Sequence, residues 1–266
     1  MKIAVCIKQV PGVAAVTINP KDNTLIREDI PSIINPFDMY AIEEGLLLRD
    51  HHKGKVTVIS MGPPQAVNAL REAIGMGADD AVLLTDPAFA GSDSWSTAYT
   101  LSLAIKTIGE FDIIVCGKQA IDGDTGQVGP ELARQLNITQ LTYVFKIREL
   151  DPLAGRIVVE RLLEEGHEIV EAKLPVLLTV VKDINKPRFG SFSNLRRASK
   201  QKIRLMMADD LTGVDKTKLG LDGSPTRVME IFSPPKREGV LNMIHADTIE
   251  QEATMLADKL IAEKIL

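Results

Sequence analysis

Two apolar patterns alternate through the first half of the chain. Short runs dominated by aliphatic and cysteine side chains occupy residues 3–10, 55–60, 81–85 and 111–116 and read as buried strands. Helical patterns separate them, over residues 39–52, 64–74, 92–108 and 130–136. In the first of these, Ile42, Leu46 and Leu47 share one face and Asp38 is the expected N-cap. Uniformly apolar strands alternating with helices predict a parallel sheet covered on both faces. The expected fold class is therefore α/β, with a doubly wound, mostly parallel, Rossmann-like sheet, a kind of sheet that takes ligands at the carboxyl ends of its strands.

The pattern changes near residue 140. Tyr143, Phe145 and Ile147 alternate with polar residues, and 156–160 alternates similarly after the turn Asp151-Pro152-Leu153-Ala154-Gly155. Both stretches predict an antiparallel extension leading into a strand at 176–181. From residue 182 the chain loses regularity. Pro187, Gly190 and a basic run precede loops holding Gly213, Gly220, Gly223, Pro225, Pro234 and Pro235. With few patterned apolar residues, this arm is expected to wrap over another surface. A last helix is expected from Asp247 to about residue 265, with Asp247 and Glu250 resembling a capping box and Ile249, Ala253, Leu256 and Leu260 forming a stripe. Docking on its own core and docking on a partner subunit both fit that stripe. Three parts follow: 1–185 as a nucleotide-binding domain, 186–244 as a recognition loop and arm, and 245–266 as the terminal helix.

Composition narrows the class. The 266 residues are 45% hydrophobic and 25% charged, which suffices for a sizeable core. A net charge of −5 argues against nucleic acid as the main partner. Cys6 and Cys116 each lie inside an apolar run and read as buried thiols of a reducing compartment. No secretory h-region follows Met1, and the longest apolar run is too short to span a bilayer, so a cytoplasmic protein without membrane association is expected. His51 and His52 end a helix, His167 is expected in a turn, and His245 precedes the last helix. None forms a metal-ligand pair or a nucleophile–His–carboxylate set, which disfavours metalloenzymes and hydrolases and leaves no catalytic residue to name.

One turn stands out. Gly117, Gly123, Gly126 and Gly129 punctuate residues 117–130 between a strand and a helix that Pro130 is suited to open. Free N–H groups and a helix dipole there favour a phosphate, and Thr125 and Gln127 add donors. Asp122 and Asp124 would repel a phosphate placed beside them, so they are expected to accept from ribose hydroxyls or to cap backbone N–H groups. On these residues alone, a nucleotide cradle and an empty glycine-rich loop are evenly matched. By contrast, Gly75-Met76-Gly77 reads as a helix C-cap, and Ser92 or Asp93 as an N-cap. Farther on, Phe189, Phe192 and Leu195 beside Arg196 and Arg197 read either as an exposed interface anchor or as a solvated basic loop.

Five motifs in order then resemble the β subunit of an electron-transfer flavoprotein over essentially the whole chain. They are Cys6-Ile7-Lys8-Gln9-Val10-Pro11, Asn35-Pro36-Phe37-Asp38, Ser60-Met61-Gly62-Pro63, the 117–130 turn and the arm at 186–202. The resemblance implies that Cys6, Lys8, Asn35, Phe37, Asp38 and Met61 line one adenine-nucleotide site. From the turn it adds Gly117, Lys118, Gln119, Ala120, Asp122, Gly123, Asp124, Thr125, Gly126, Gln127 and Val128. It further implies a heterodimer with an FAD-carrying α subunit. The family's respiratory type holds structural AMP in the β site, whereas its electron-bifurcating type holds a second FAD. Gly123 and Gly126 resemble the bifurcating type, in which NAD(H) exchanges a hydride with that FAD and the electrons divide between ferredoxin and a flavin dehydrogenase. Where the family often has a lysine-rich run, this arm reads Arg196-Arg197-Ala198-Ser199-Lys200-Gln201-Lys202, which favours a lactate-type over an acyl-CoA-type dehydrogenase. An AMP-holding β subunit, a nucleotide-binding regulatory module and an interaction protein with an empty cradle stand as alternatives.

Overall fold

Alternate residues of β1 (Lys2–Ile7) enter two different cores. Ile3, Val5 and Ile7 pack with α1 (Pro36–His52) and α2 (Val67–Met76), while Ala4 and Cys6 pack with α3 (Ser94–Ile108) and α4 (Val128–Leu136). A strand covered in this way has no solvent face, which is why it reads as a continuous apolar run. The computed structural model describes residues 1–12, 31–229 and 241–265, so the loop residues Pro234 and Pro235 lie outside it. It divides into two compact units, Met1–Arg227 and Val228–Leu266.

The first unit is a mixed α/β fold. After β1 come a small antiparallel pair, β2 (Gln9–Pro11) and β3 (Ser32–Ile34), then β4 (Lys55–Met61), β5 (Asp80–Leu84) and β6 (Ile113–Gly117). β7 (Thr139–Asp151), β8 (Arg156–Leu163), β9 (Gly166–Lys173), β10 (Val176–Val180) and β11 (Arg204–Met206) complete the strands among the described residues. The large sheet runs β11-β5-β4-β1-β6-β10-β7-β8-β9. Every pairing from β11 to β7 is parallel, and β7, β8 and β9 pair antiparallel. The chain steps from β1 outward to β4 and β5, then returns to lay β6 on the other side of β1. The carboxyl ends of β1 and β6 therefore flank the point where the winding reverses, the place where such sheets take ligands.

Several local expectations change. α1 begins at Pro36, so Asp38 lies inside the first turn instead of capping it, and Asn35 takes the cap position. α4 begins at Val128, which puts Pro130 third in the helix, still within the turn where no N–H is needed. Residues 64–66 form a separate 3₁₀ turn before α2. His167 lies within β9, its ring edge-on to Phe145 and its Nδ1 2.6 Å from Glu160. The arm is also more regular than its composition implies. α5 (Phe192–Lys200) is capped by the Ser191 hydroxyl, and β11 adds a parallel edge strand beside β5. In the second unit, α6 (Ile249–Ala262) is capped by Thr248, whose hydroxyl accepts from Gln251 N–H at 3.3 Å, and not by Asp247. Ile249, Met255, Leu256 and Ile261 of α6 are exposed.

Candidate nucleotide site

Asn35 joins the two halves of the site. Its Nδ2 donates to the Gln119 carbonyl at 2.8 Å, and its Oδ1 accepts from the Ile121 N–H at 3.2 Å. A buried side chain at the head of α1 thus holds the turn after β6 by both polar atoms, which a shorter or apolar residue would not do. Asp38, one turn on, accepts from the Lys8 backbone N–H at 2.7 Å and from the Gly117 N–H, and so ties the ends of β1 and β6 together. Burial pushes its carboxyl up to about 7, against the opposing hydrogen bonds from Lys8, Asn35 and Gly117. Gly117 is required by this closeness. A Cβ there would overlap Asp38 Oδ1 and lie 2.8 Å from the Phe37 carbonyl carbon and from its Cβ.

The acidic residues of the turn are paired. Lys8 Nζ lies 2.7 Å from Asp122 Oδ2, and the Gln119 amide donates to Asp124. Asp124 and Gly126 both adopt left-handed backbone, with φ of 53° and 64°, and Asp124 N–H closes onto the Ala120 carbonyl at 2.8 Å. Gly123 differs, since a Cβ there would meet nothing within 4 Å. Thr125 and Gln127 are exposed, and Gln127 precedes α4 without a side-chain cap bond. The first-turn N–H groups of α4 therefore remain available to an anion.

The remaining residues named from the sequence fall as follows. Met61 is half-buried at the end of β4, and Phe37 is half-buried against Gly117. Cys6 is buried opposite Cys116 on the neighbouring strand, and both thiols are free. A hydrogen bond with Cys6, together with burial, pushes the Cys116 thiol well up. In the arm, Phe189 and Phe192 are 98% and 84% exposed, whereas Leu195 leans on Gly75 and Gly190. Arg196 is exposed. Arg197 donates to the Ala78 carbonyl at 2.7 Å and the Ile74 carbonyl at 3.3 Å, so its guanidinium fastens α5 to the end of α2. Arg71 reinforces the joint by donating to the Ala198 carbonyl at 2.8 Å.

Sequence reading missed two groups around the site. Arg188 makes a bidentate pair with buried Glu43 of α1, at 2.8 Å from its Nε, and reaches Asp50 at 3.0 Å. Asn185 donates to Glu44 at 2.9 Å and to the Tyr40 carbonyl. The one local signal was two adjacent acids on a helix face otherwise turned inward. Tyr143 is the second omission, a left-handed tyrosine whose ring lies under Lys118.

Several segments thus converge at the carboxyl ends of β1 and β6, where a mostly parallel α/β sheet takes its ligands. The electron transfer flavoprotein domain model matches residues 22–211. The chain is 52% identical over 256 residues to the electron transfer flavoprotein subunit beta of Thermoanaerobacterium thermosaccharolyticum, covering 92% of this chain and 96% of that one. It is 45% identical over the full length of both chains to the subunit of the same name from Megasphaera elsdenii. It is 44% identical, again over the full length of both, to the caffeyl-CoA reductase-Etf complex subunit CarD of Acetobacterium woodii. The chain belongs to the electron transfer flavoprotein β-subunit family, a family of flavin and adenine-nucleotide proteins that work in electron-transfer complexes. Among the described residues no helix is long and apolar enough to cross a membrane.

Proposed function

We propose that this chain is the β subunit of an electron-bifurcating electron transfer flavoprotein, with FAD and not AMP at the reversal point of a doubly wound, Rossmann-like sheet. The observation that carries the nucleotide reading is Asn35 holding both Gln119 and Ile121, which fixes the turn across the ends of β1 and β6. The donor set fits the group. Lys8 offsets the charge of Asp122, and the uncapped start of α4 suits a phosphate. Open space at Gly123 supports a ligand that extends beyond the adenosine half. Bound there, a flavin would supply the redox chemistry, exchanging a hydride with NAD(H) and releasing electrons singly. The protein's part is positional: Asn35 and Asp38 fix the turn, and Phe37, Met61 and the flanks of the turn from Gly117 to Val128 shape its walls.

The same reading assigns the partners. An FAD-carrying α subunit completes the heterodimer, ferredoxin takes one electron, and a flavin dehydrogenase of the lactate type takes the other. The Acetobacterium woodii relative is by its name part of a reductase complex, which supports work within such an assembly. Exposed Phe189 and Phe192, with Leu195 and Arg196, form the surface offered to the dehydrogenase, and Arg197 mounts it. Residues 1–185 then hold the cofactor, 186–244 reach the dehydrogenase and 245–266 dock on the α subunit. Two free buried thiols suit a cytoplasmic setting. Co-expression with the α subunit, purification of the heterodimer and quantification of nucleotides released on denaturation test the proposal. Two FAD per heterodimer are expected. One FAD with one AMP would refute bifurcation, and no adenine nucleotide beyond that of the α subunit would refute the cradle.

A further inference from the structure

The turn is gripped from the β1 side by Asn35 and Lys8, and from the other side by a set of residues in which Tyr143, Thr179 and Gly129 carry no role so far. Tyr143 of β7 has φ of 57°, a conformation that a bulky side chain adopts only where its surroundings impose it. Its N–H donates to the Thr179 hydroxyl at 3.1 Å, beside the point where the β10–β7 register shifts between Leu178 and Val180. Thr179 packs directly against Gly129 in the first turn of α4, where a Cβ would overlap its methyl group. From β6, the Lys118 N–H reaches the Val180 carbonyl at 2.9 Å, and the Lys118 carbonyl lies 3.6 Å from where a Gly126 Cβ would be. Lys118 Nζ closes the ring, 5.1 Å from the centroid of the Tyr143 side chain. Gly129, Thr179, Tyr143, Lys118 and Gly126 thus form a continuous wall along the turn.

Charge gives that wall a purpose. Lys118 is the one cation between residues 117 and 130. Lys8 is engaged with Asp122 and Gln119 with Asp124, whereas among the described residues Lys118 has no carboxylate within ion-pair distance. An aromatic face attracts an ammonium group without neutralising it, so the charge remains available to an anion. We propose that Tyr143 is a positioning residue of the nucleotide site, its ring holding the Lys118 ammonium at the edge of the turn where it meets a ligand phosphate. The inference rests on the nucleotide reading above and adds to it a device that selects phosphorylated over unphosphorylated adenosine.

The test compares adenosine with AMP by titration calorimetry on the full chain stripped of nucleotide. Tyr143→Leu keeps the left-handed side-chain strain and removes the ring. It is expected to weaken AMP about fivefold, in the range of a cation–π contact, and to leave adenosine unchanged. Tyr143→Phe retains the ring face and should bind AMP within about twofold of the parent. Lys118→Met should lose AMP selectively, and the Lys118→Met/Tyr143→Leu double variant no more than Lys118→Met alone. If Tyr143→Leu does not fold, Tyr143→Gly, which suits the left-handed backbone, makes the same comparison. Equal losses for adenosine and AMP, no loss for either, or additive losses in the double variant would overturn the proposal. A parent chain that binds neither ligand would overturn the nucleotide reading itself and this inference with it.

Discussion

Replacing Gly117 with alanine sets a methyl group against three atoms that cannot all move. The Asp38 carboxylate is held by the Lys8 backbone N–H through Oδ2, and the Phe37 carbonyl carbon and Cβ, each 2.8 Å from the new Cβ, belong to the first turn of α1. Relief requires either that α1 retreat from the end of β6 or that Asp38 give up its bonds to Lys8 and Gly117. Overpacking of this kind costs about 1–3 kcal/mol. At the middle of that range, a protein of this size should melt about 4–8 °C lower. Gly123→Ala is the control, because its methyl group would meet nothing within 4 Å and its stability should stay within about 0.5 kcal/mol of the parent. Thermal and urea melts of both variants, with retained nucleotide measured on the same samples, read the difference. Gly117→Ala should lose stability and nucleotide together. Equal melting of the two variants would show that the strand ends are not packed as described.

Four further outcomes follow from the same geometry. Asp38 has its folded pKa raised to about 7 from 3.8, so it favours the folded state at low pH and that contribution disappears as pH rises through 7. Asp38→Asn should therefore flatten the decline in unfolding free energy between pH 5 and 8 by about 2–3 kcal/mol, measured by urea titration at each pH. Arg188→Ala leaves the Glu43 carboxylate buried without its partner and should cost about 3 kcal/mol, with hydrogen exchange rising first in α5. Asp122→Asn breaks only a half-exposed pair, so any stability change in a urea melt should be under about 1 kcal/mol. Cys6 and Cys116 are buried and the Cys116 thiol is pushed up, so Ellman's reagent should react with both only upon unfolding.

Burial on both faces made β1, β4, β5, β6 and β10 legible, because strands covered in this way are apolar at most positions. The 117–130 turn was legible for a similar reason, since its glycines interrupt an otherwise regular strand–helix unit. What escaped reading depends on contacts between distant positions. Lys8 and Asp122 lie 114 positions apart, and Arg188 and Glu43 lie 145 apart, and no local pattern pairs them. α5 was missed because Ala198 is its sole buried residue, so Phe192 and Leu195 were read as an exposed anchor and not as a helix face, and polar bonds from Arg71 and Arg197 hold the helix in place. β11 is only three residues long and lies at an edge, where strand patterning is weakest. Thr248 and Asp247 are both good caps, and composition alone does not choose between them. The left-handed backbone of Tyr143 has no sequence signature at all, since tyrosine is a poor candidate for that conformation.

Between β10 and β11 the chain travels from one side of β1 to the opposite edge of the sheet. It crosses the α1 and α2 layer on the way, pinned at Glu43 by Arg188 and at the end of α2 by Arg197. None of those pins involves Phe189 or Phe192, two large apolar side chains that are almost fully exposed. The segment is therefore a fixed mount with an exchangeable tip. Its exposed residues can be rewritten without loosening the strap beneath them, while a cut at residue 186 would also strip β11 from the edge of β5 and leave that edge unpaired. Redesign of this surface has free choice at 189, 192 and 196, and almost none at 188, 191 and 197.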